Sequence, residues 1–491
     1  MFTLRGLAVE VRRRIPALAL SIIICSTAFA NTGELKLPDL GESSTSVFST
    51  EFEHDLGRAW LRAFRSRVPT VNDPLMFDYL ENLTYRLVTH SNLQDRRIEL
   101  VVVDNPNINA FAVPGGVIGV HNGLFLWAQT EDEMATVLAH EIAHLSQRHF
   151  SRGVEFQRKQ QPLTLAAMLA SLVIMATAGG DAGLAALSAT QAAAQDSALR
   201  YSRSNEQEAD RVAMKTIVDA GLDPHAAPAM FERMLRASRY SSANRIPEFL
   251  RSHPLSESRI ADTRNRARQY PKKIRSVSLS YQLMRARATL QLADTPEEAV
   301  QKFRGELKGD TQSREAANYG LALALTEAGR PDEASLALDD IWSQRPDRIE
   351  YILADAAIDM ARNKPGLAAE KLADKLEVSP GNHPLTMAYA RALMQNQQSH
   401  IAEEVLLAQS KRRPNDPGLW YLLAEVQGLA GNITGLHQSR AEYFILNGDL
   451  DRAQKQLHYA LERAQGEYTD AARIKARLGD IARLRERMEE L

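Results

Sequence analysis

The C-terminal half of the chain keeps a step of 34 residues. Pro346, Pro380 and Pro414 follow it, as do Ala322, Ala356, Ala390 and Ala424. Ala334, Ala368 and Ala402 form a third series, and Leu338, Leu372 and Leu406 keep the same step. Nothing else in the sequence restricts the fold so severely. A period of this length is one helix–turn–helix unit, which cannot bury its apolar face alone and must stack on its neighbours. The alanines let two helices approach closely, and each proline closes a unit where the next begins. Weaker units flank these, near residues 281–300 and 436–461. Residues 275–491 are therefore expected to form an α-solenoid with a concave binding surface.

The chemistry lies upstream, at His140-Glu141-Ile142-Ala143-His144. Met134, Val137, Leu138, Ile142 and Leu145 recur at helical spacing, which predicts a helix over 131–149. One turn separates His140 from His144, so both imidazoles leave the same face and can grip one cation. Glu141 stands beside the first ligand, where its carboxylate can take the proton of a water acidified by zinc. A third ligand is needed. Residues 203–211 open a helix running to about Ala220, closed by Gly221 with Pro224 beyond. Glu206 and Asp210 are four apart and share a face, whereas Glu208 points elsewhere. Alone, each acid reads as solvated helix surface. Together with H-E-x-x-H, Glu206 is assigned to the metal and Asp210 to the far nitrogen of a ligating histidine.

The metzincin extension of the motif fails, because Gln147 and Phe150 stand where glycine and histidine would be required. His149 falls one residue early, on the wrong face of the predicted helix, and reads as structural. His121 reads as a loop histidine. His253 precedes Pro254 and is thereby held extended, which suits a side chain projecting into a cleft. It can steady an oxyanion, or occupy zinc's open position and leave the enzyme latent, or be a plain surface histidine. Arg259 is a further candidate for the same oxyanion.

Two helices are predicted over 51–66 and 73–90, with Asp73 as cap and Pro74 just inside. Strands follow over 98–103, 109–113 and 117–120. As an edge strand, Ile118, Gly119 and Val120 would pair with an extended peptide substrate; otherwise they belong to an ordinary hairpin. Residues 160–180 carry no charge, and an alanine-rich run continues to 195. A membrane hairpin, a buried helical pair and amphipathic helices over the cleft all fit this stretch, so peripheral membrane contact through 160–195 stays open.

At the N-terminus, Arg12, Arg13 and Arg14 precede an apolar run and Ala28-Phe29-Ala30. This is the pattern of an export signal cleaved after Ala30, followed by a flexible lead over 31–50. Cys25 is the only cysteine, so the mature chain cannot depend on disulfides. A formal net charge of −2 argues against a nucleic-acid binder.

Four segments carry a family likeness: HEIAH at 140–144 with Arg148-His149 after it, EQEAD at 206–210, NAFAVPGG at 109–116 and SHP at 252–254. Together they resemble the M48 family of gluzincin metalloproteases over about residues 50–270, and the C-terminal period resembles the tetratricopeptide repeat. The likeness implies one zinc ion per chain, held by His140, His144 and Glu206, with Glu141 as general base and Asp210 behind the ligands. It also implies that the strand before the metal helix lies along the cleft, which supports the substrate role of residues 118–120. The expected architecture is mainly α: a gluzincin-type domain with a small mixed sheet at 51–270, then the repeat solenoid. An exported M48 domain with such repeats further resembles Gram-negative periplasmic proteases that assist β-barrel assembly. The implied partners are unfolded or stalled outer-membrane proteins and, through the repeats, the barrel assembly machinery. The competing class is a non-proteolytic chaperone or adaptor with a latent metal site.

Overall fold

The first two helices begin where the caps dictate. In α1 (Thr50–Arg65) Ser49 accepts the N–H of Phe52 at 3.1 Å. In α2 (Pro74–Thr89) Asp73 accepts the N–H groups of Leu75 and Met76, and Pro74 sits where no N–H is needed. The computed structural model describes residues 48–160, 192–240, 248–272, 276–309, 311–343, 345–464 and 468–490. The expected signal peptide, almost all of the lead and most of 160–195 lie outside these residues. Among the described residues no helix is long and apolar enough to cross a membrane.

Three short strands follow: β1 (Glu99–Val103), β2 (Ala110–Val113) and β3 (Val117–His121). The sheet order is β1-β3-β2, with β1 parallel and β2 antiparallel to β3. This corrects the expected substrate strand. Ile118, Gly119 and Val120 are paired on one side with Leu100, Val101 and Val102 and on the other with Ala112, Phe111 and Ala110. Both rows of backbone groups are used, so β3 is central and cannot accept a peptide. The free edge on the cleft side belongs to β2. Gly119 is needed where it stands, since a Cβ there would lie 2.1 Å from the Phe111 ring. His121 is not a loop residue either. It ends β3 with no exposure, facing Asn109 at 3.4 Å.

Next come α3 (Leu124–Trp127), α4 (Glu131–Ser146), α5 (His149–Gln160), α6 (Ala192–Asp219), α7 (Ala226–Tyr240), α8 (Glu248–Ser252) and α9 (Glu257–Ala267). The predicted helix over 131–149 is therefore two helices. Arg148 takes φ 50°, a left-handed conformation costly for a side chain larger than glycine, and breaks the chain's direction. The break is held by side chains, because Arg148 donates to Glu53 Oε1 and to the Phe48 carbonyl at 2.8 and 2.7 Å.

From Leu279 on, the described chain is entirely helix and short turn. The pairs Arg314–Glu327/Pro331–Trp342, Ile349–Ala361/Pro365–Val378 and His383–Gln395/Ser399–Arg412 carry the period. Ala322, Ala356, Ala390, Ala334, Ala368 and Ala402 are all at most 1% exposed, as close helix approach requires. Pro346, Pro380 and Pro414 lie between units. The weaker flanking units are present too, at Leu279–Gln291/Pro296–Lys308 and Ile433–Leu446/Leu450–Arg463.

The solenoid is not a separate appendage. One apolar core runs from Leu80 of α2 through Leu138 and Ile142 of α4 to Leu283, Tyr319 and Ile358 of the repeats. Fully burying a leucine contributes about 1.5–3 kcal/mol, so this shared core locks the first repeats to α4. Polar links reinforce it: Arg287 donates to Asp73 at 2.7 Å and the Tyr281 hydroxyl to the Ala128 carbonyl at 2.8 Å. Farther along, Arg413 donates to Glu81 and Asn415 to Glu99. The repeats thus return to the face of α2 and β1.

Candidate metal centre

Helix α4 is buried on nearly every side. Thr130 caps it by accepting the N–H of Glu133, and Glu133 reaches back to the N–H of Gln129 at 2.6 Å. Its first turn, Glu131-Asp132-Glu133, places negative charge at the positive end of the helix dipole. This anchoring sets the rotation that sends His140 and His144 together toward α6.

Glu206 and Asp210 of α6 meet them there, and His253 arrives from the segment between α8 and α9. Single donor atoms of His140, His144, Glu206 and His253 all fall within 4.8 Å of one another. His140 Nε2 is 3.1 Å from His144 Nε2, 3.3 Å from Glu206 Oε2 and 3.3 Å from His253 Nδ1. Glu206 Oε1 is 3.4 Å from His144 Nε2 and 3.1 Å from His253 Nδ1. Donors on a zinc tetrahedron with bonds of about 2.0–2.1 Å sit about 3.3 Å apart. The observed spacings match that size, and three ring nitrogens converging with one carboxylate make a donor set chosen for a cation. The residues fit a zinc-like dication.

The electrostatics point the same way. Burial would raise the Glu206 carboxyl, yet His253, His140 and His144 hold it well below the usual range, so it stays ionised. Burial disfavours charge on His140 as well, but hydrogen bonds to Asp210 and Glu206 override this and lift its pKa to about 10. His144, lacking such a balance, is pushed well below its ordinary value by burial. The negative charge that faces the imidazoles comes from Glu206 and Asp210, both held ionised by their cationic partners.

Asp210 lies where it was expected, with Oδ1 at 3.1 Å from His140 Nδ1, the nitrogen facing away from the cluster. Glu141 is 1% exposed and its pKa is raised by burial. One carboxylate oxygen, Oε1, has no hydrogen-bond partner and lies 3.5 Å from His253 Nε2. The backbone N–H of Ala112 on β2 donates to the same carboxylate. The candidate base thus touches the free edge of the sheet. Both border a cleft of about 460 Å³ whose walls include Phe111, Leu145, Phe150 and Trp60.

The structure also places two further sequence candidates. His149 stays outside the donor cluster, in keeping with a structural reading, but packs against it: its Nδ1 lies 2.9 Å from His144 Nδ1, and its Nε2 is 3.2 Å from Glu208. The face argument assumed one continuous helix, and the left-handed Arg148 turns His149 back onto His144. Arg259 does not serve an oxyanion, because its guanidinium is consumed by Asp210, Glu206 and the Pro254 carbonyl. Glu53 and Ser151 meet in the wall of the cleft, and no sequence pattern marks that contact.

Comparison with known proteins bears on these residues directly. Residues 74–267 match peptidase family M48, and residues 359–426 match the tetratricopeptide repeat. The beta-barrel assembly-enhancing protease of Escherichia coli (strain K12) is 34% identical over 472 residues, covering 96% of each chain. A putative beta-barrel assembly-enhancing protease of Vibrio cholerae is 35% identical over 469 residues, covering 95% of this chain and 96% of its own. The mitochondrial metalloendopeptidase OMA1 of Schizosaccharomyces pombe is 31% identical over 182 residues, 37% of this chain and 50% of its own. The His140–His144–Glu206–His253 cluster lies inside the M48 segment, and the stacked repeats lie outside it. The chain therefore belongs to the beta-barrel assembly-enhancing protease family, metalloendopeptidases that join an M48 peptidase domain to tetratricopeptide repeats.

Proposed function

We propose that this chain is a zinc endopeptidase of the periplasm that acts on outer-membrane β-barrel proteins during assembly and removes those that stall. The observation that carries the catalytic part is the convergence of His140, His144 and Glu206 beside a buried Glu141 at the free edge of β2. Zinc, when bound, supplies Lewis acidity to a peptide carbonyl and to water. The chain supplies the rest. His140, His144 and Glu206 would hold the ion, and Asp210, with Oδ1 3.1 Å from His140 Nδ1, would favour the tautomer that leaves Nε2 free for it. Glu141 Oε1 accepts the proton of the attacking water and returns it to the leaving amine. A peptide laid along β2 meets the outward backbone groups of Ala110 and the Ala112 carbonyl, since Phe111 and Val113 turn theirs toward β3 and the Ala112 N–H is already given to Glu141. The apolar walls of the cleft exclude water from the reacting bond.

His253 supports a resting state. With its Nδ1 at tetrahedral spacing from His140 Nε2 and Glu206 Oε1, it fills the position that catalysis must keep open. The segment that carries it must swing away before substrate is cut. This feature also favours a second reading, in which the solenoid performs a chaperone or adaptor role while the metal site stays closed.

Export is supported by the signal-like residues 1–30, and the repeats offer the surface for unfolded barrel proteins or the barrel assembly machinery. Glu141→Gln separates the readings. Zinc should remain bound at one per chain while cleavage of an unfolded barrel protein drops about 10²–10⁴-fold. If Glu141→Gln cleaves as fast as the native chain, the assignment of the base fails. If it cleaves nothing yet still restores barrel assembly in cells lacking the protein, the adaptor reading gains.

A further inference from the structure

Arg259 lies in the first turn of α9 and is 3% exposed. Its Nε and Nη2 donate to the two oxygens of Asp210 at 2.7 and 2.8 Å. Its Nη1 lies 2.9 Å from Glu206 Oε2 and donates to the Pro254 carbonyl at 2.8 Å. One buried guanidinium therefore supports three of the four converging donors. It grips Glu206 directly, His140 by way of Asp210, and His253 by way of the carbonyl that follows it in the chain.

We propose that Arg259 is a positioning residue of the metal centre that ties the third ligand and the His253 segment to one side chain. The proposal rests on the metal reading above. Arg259 lies against Glu206 Oε2, which also faces His140 and His253 at 3.3 and 3.2 Å, and so holds the carboxylate with Oε1 toward His144 and His253. By holding the Pro254 carbonyl with the same nitrogen, it couples that carboxylate to the segment that closes the site. His253 cannot swing out without breaking the Arg259–Pro254 bond, so opening the site and loosening Glu206 are linked. A lysine cannot replace it: a single ammonium lacks the fork that spans Asp210 while reaching Glu206 and Pro254. The ion pair with Asp210 also removes the penalty of burying either charge alone.

The test uses the full chain as native protein, R259A and R259K. Helix content is followed by far-ultraviolet circular dichroism and zinc affinity by chelator competition. The visible spectrum of the cobalt(II)-loaded protein reports the donor set, and each measurement is repeated with millimolar guanidinium. R259A should keep its helices, bind zinc about 10–100-fold more weakly and show a changed cobalt spectrum. Guanidinium should restore both, and R259K should resemble R259A. Native affinity and spectrum in R259A overturn the proposal. So does a loss that merely follows a loss of helix and that guanidinium does not restore. If the native chain itself takes up no stoichiometric zinc, the metal reading falls first and this proposal with it, an outcome separable from the others.

Discussion

In the solenoid, residues one period apart do the same work. Ala334, Ala368 and Ala402 are each fully buried, and Leu338, Leu372 and Leu406 fill equivalent gaps at 0–2% exposure. In the metal centre no residue has a counterpart. His140 and His253 touch across 113 positions of sequence, Asp210 and Arg259 across 49, and every one of them is polar and buried. The first region is stabilised by apolar contacts that are many, local and interchangeable. The second depends on a few charges that must all be present, since a buried ion pair that loses one partner costs more than the pair contributed. Damage to the repeats should therefore lower stability and spare the chemistry, whereas damage to the centre should impair both.

Asp210→Asn tests that contrast where it should be largest. It removes one of the two carboxylates that face Arg259 and leaves Glu206 alone to balance it, so unfolding in urea should show a loss of up to about 3–5 kcal/mol, and zinc should bind more weakly. A neutral outcome would mean that the centre is no less tolerant than the repeats. Leu372→Ala is the matching change in the solenoid. It should cost about 2–5 kcal/mol from the lost methyl groups and the cavity, with no change in zinc affinity and little in the cleavage of a short peptide. If zinc affinity falls in step with stability, the shared core couples the halves more tightly than the contrast allows.

His121 sharpens the comparison through pH. Burial lowers its pKa from 6.5 to about 4, so it is neutral in the folded chain near neutrality. The unfolded chain binds the extra proton first, between pH 6.5 and 4. The stability in question is complete above pH 6.5 and is lost as pH falls through that window, by about 3 kcal/mol in all. His121→Gln, compared with the native chain in the presence of a chelator, should remove that part of the acid slope. Equal slopes in the two proteins would show that His121 is solvated enough to titrate normally.

Legibility follows the same division. The repeats are legible because their signal is local and recurs, so alanine, leucine and proline at a fixed step point to helix packing without any knowledge of the rest. The two histidines and Glu141 were readable because one turn of helix fixes their geometry. Glu206 and Asp210 were readable only as partners for them. What failed was nonlocal. The order β1-β3-β2 puts residues 117–121 in the middle of the sheet, although they are the last strand in sequence. The parallel pairing of β1 with β3 decides this, and no residue pattern announces it. The face expected of His149 changed for a different reason. A single left-handed residue, Arg148, is held there by contacts to Glu53 and Phe48 about a hundred positions upstream.

The central claim is that one dication is held by donors brought together from α4, α6 and the segment before α9. Diffraction from zinc-loaded crystals, recorded on either side of the zinc absorption edge, tests it most directly. The account predicts one anomalous peak per chain, about 2.0–2.2 Å from His140 Nε2, His144 Nε2 and a Glu206 oxygen. A loaded crystal with no peak there, or with zinc bound only elsewhere, would contradict it.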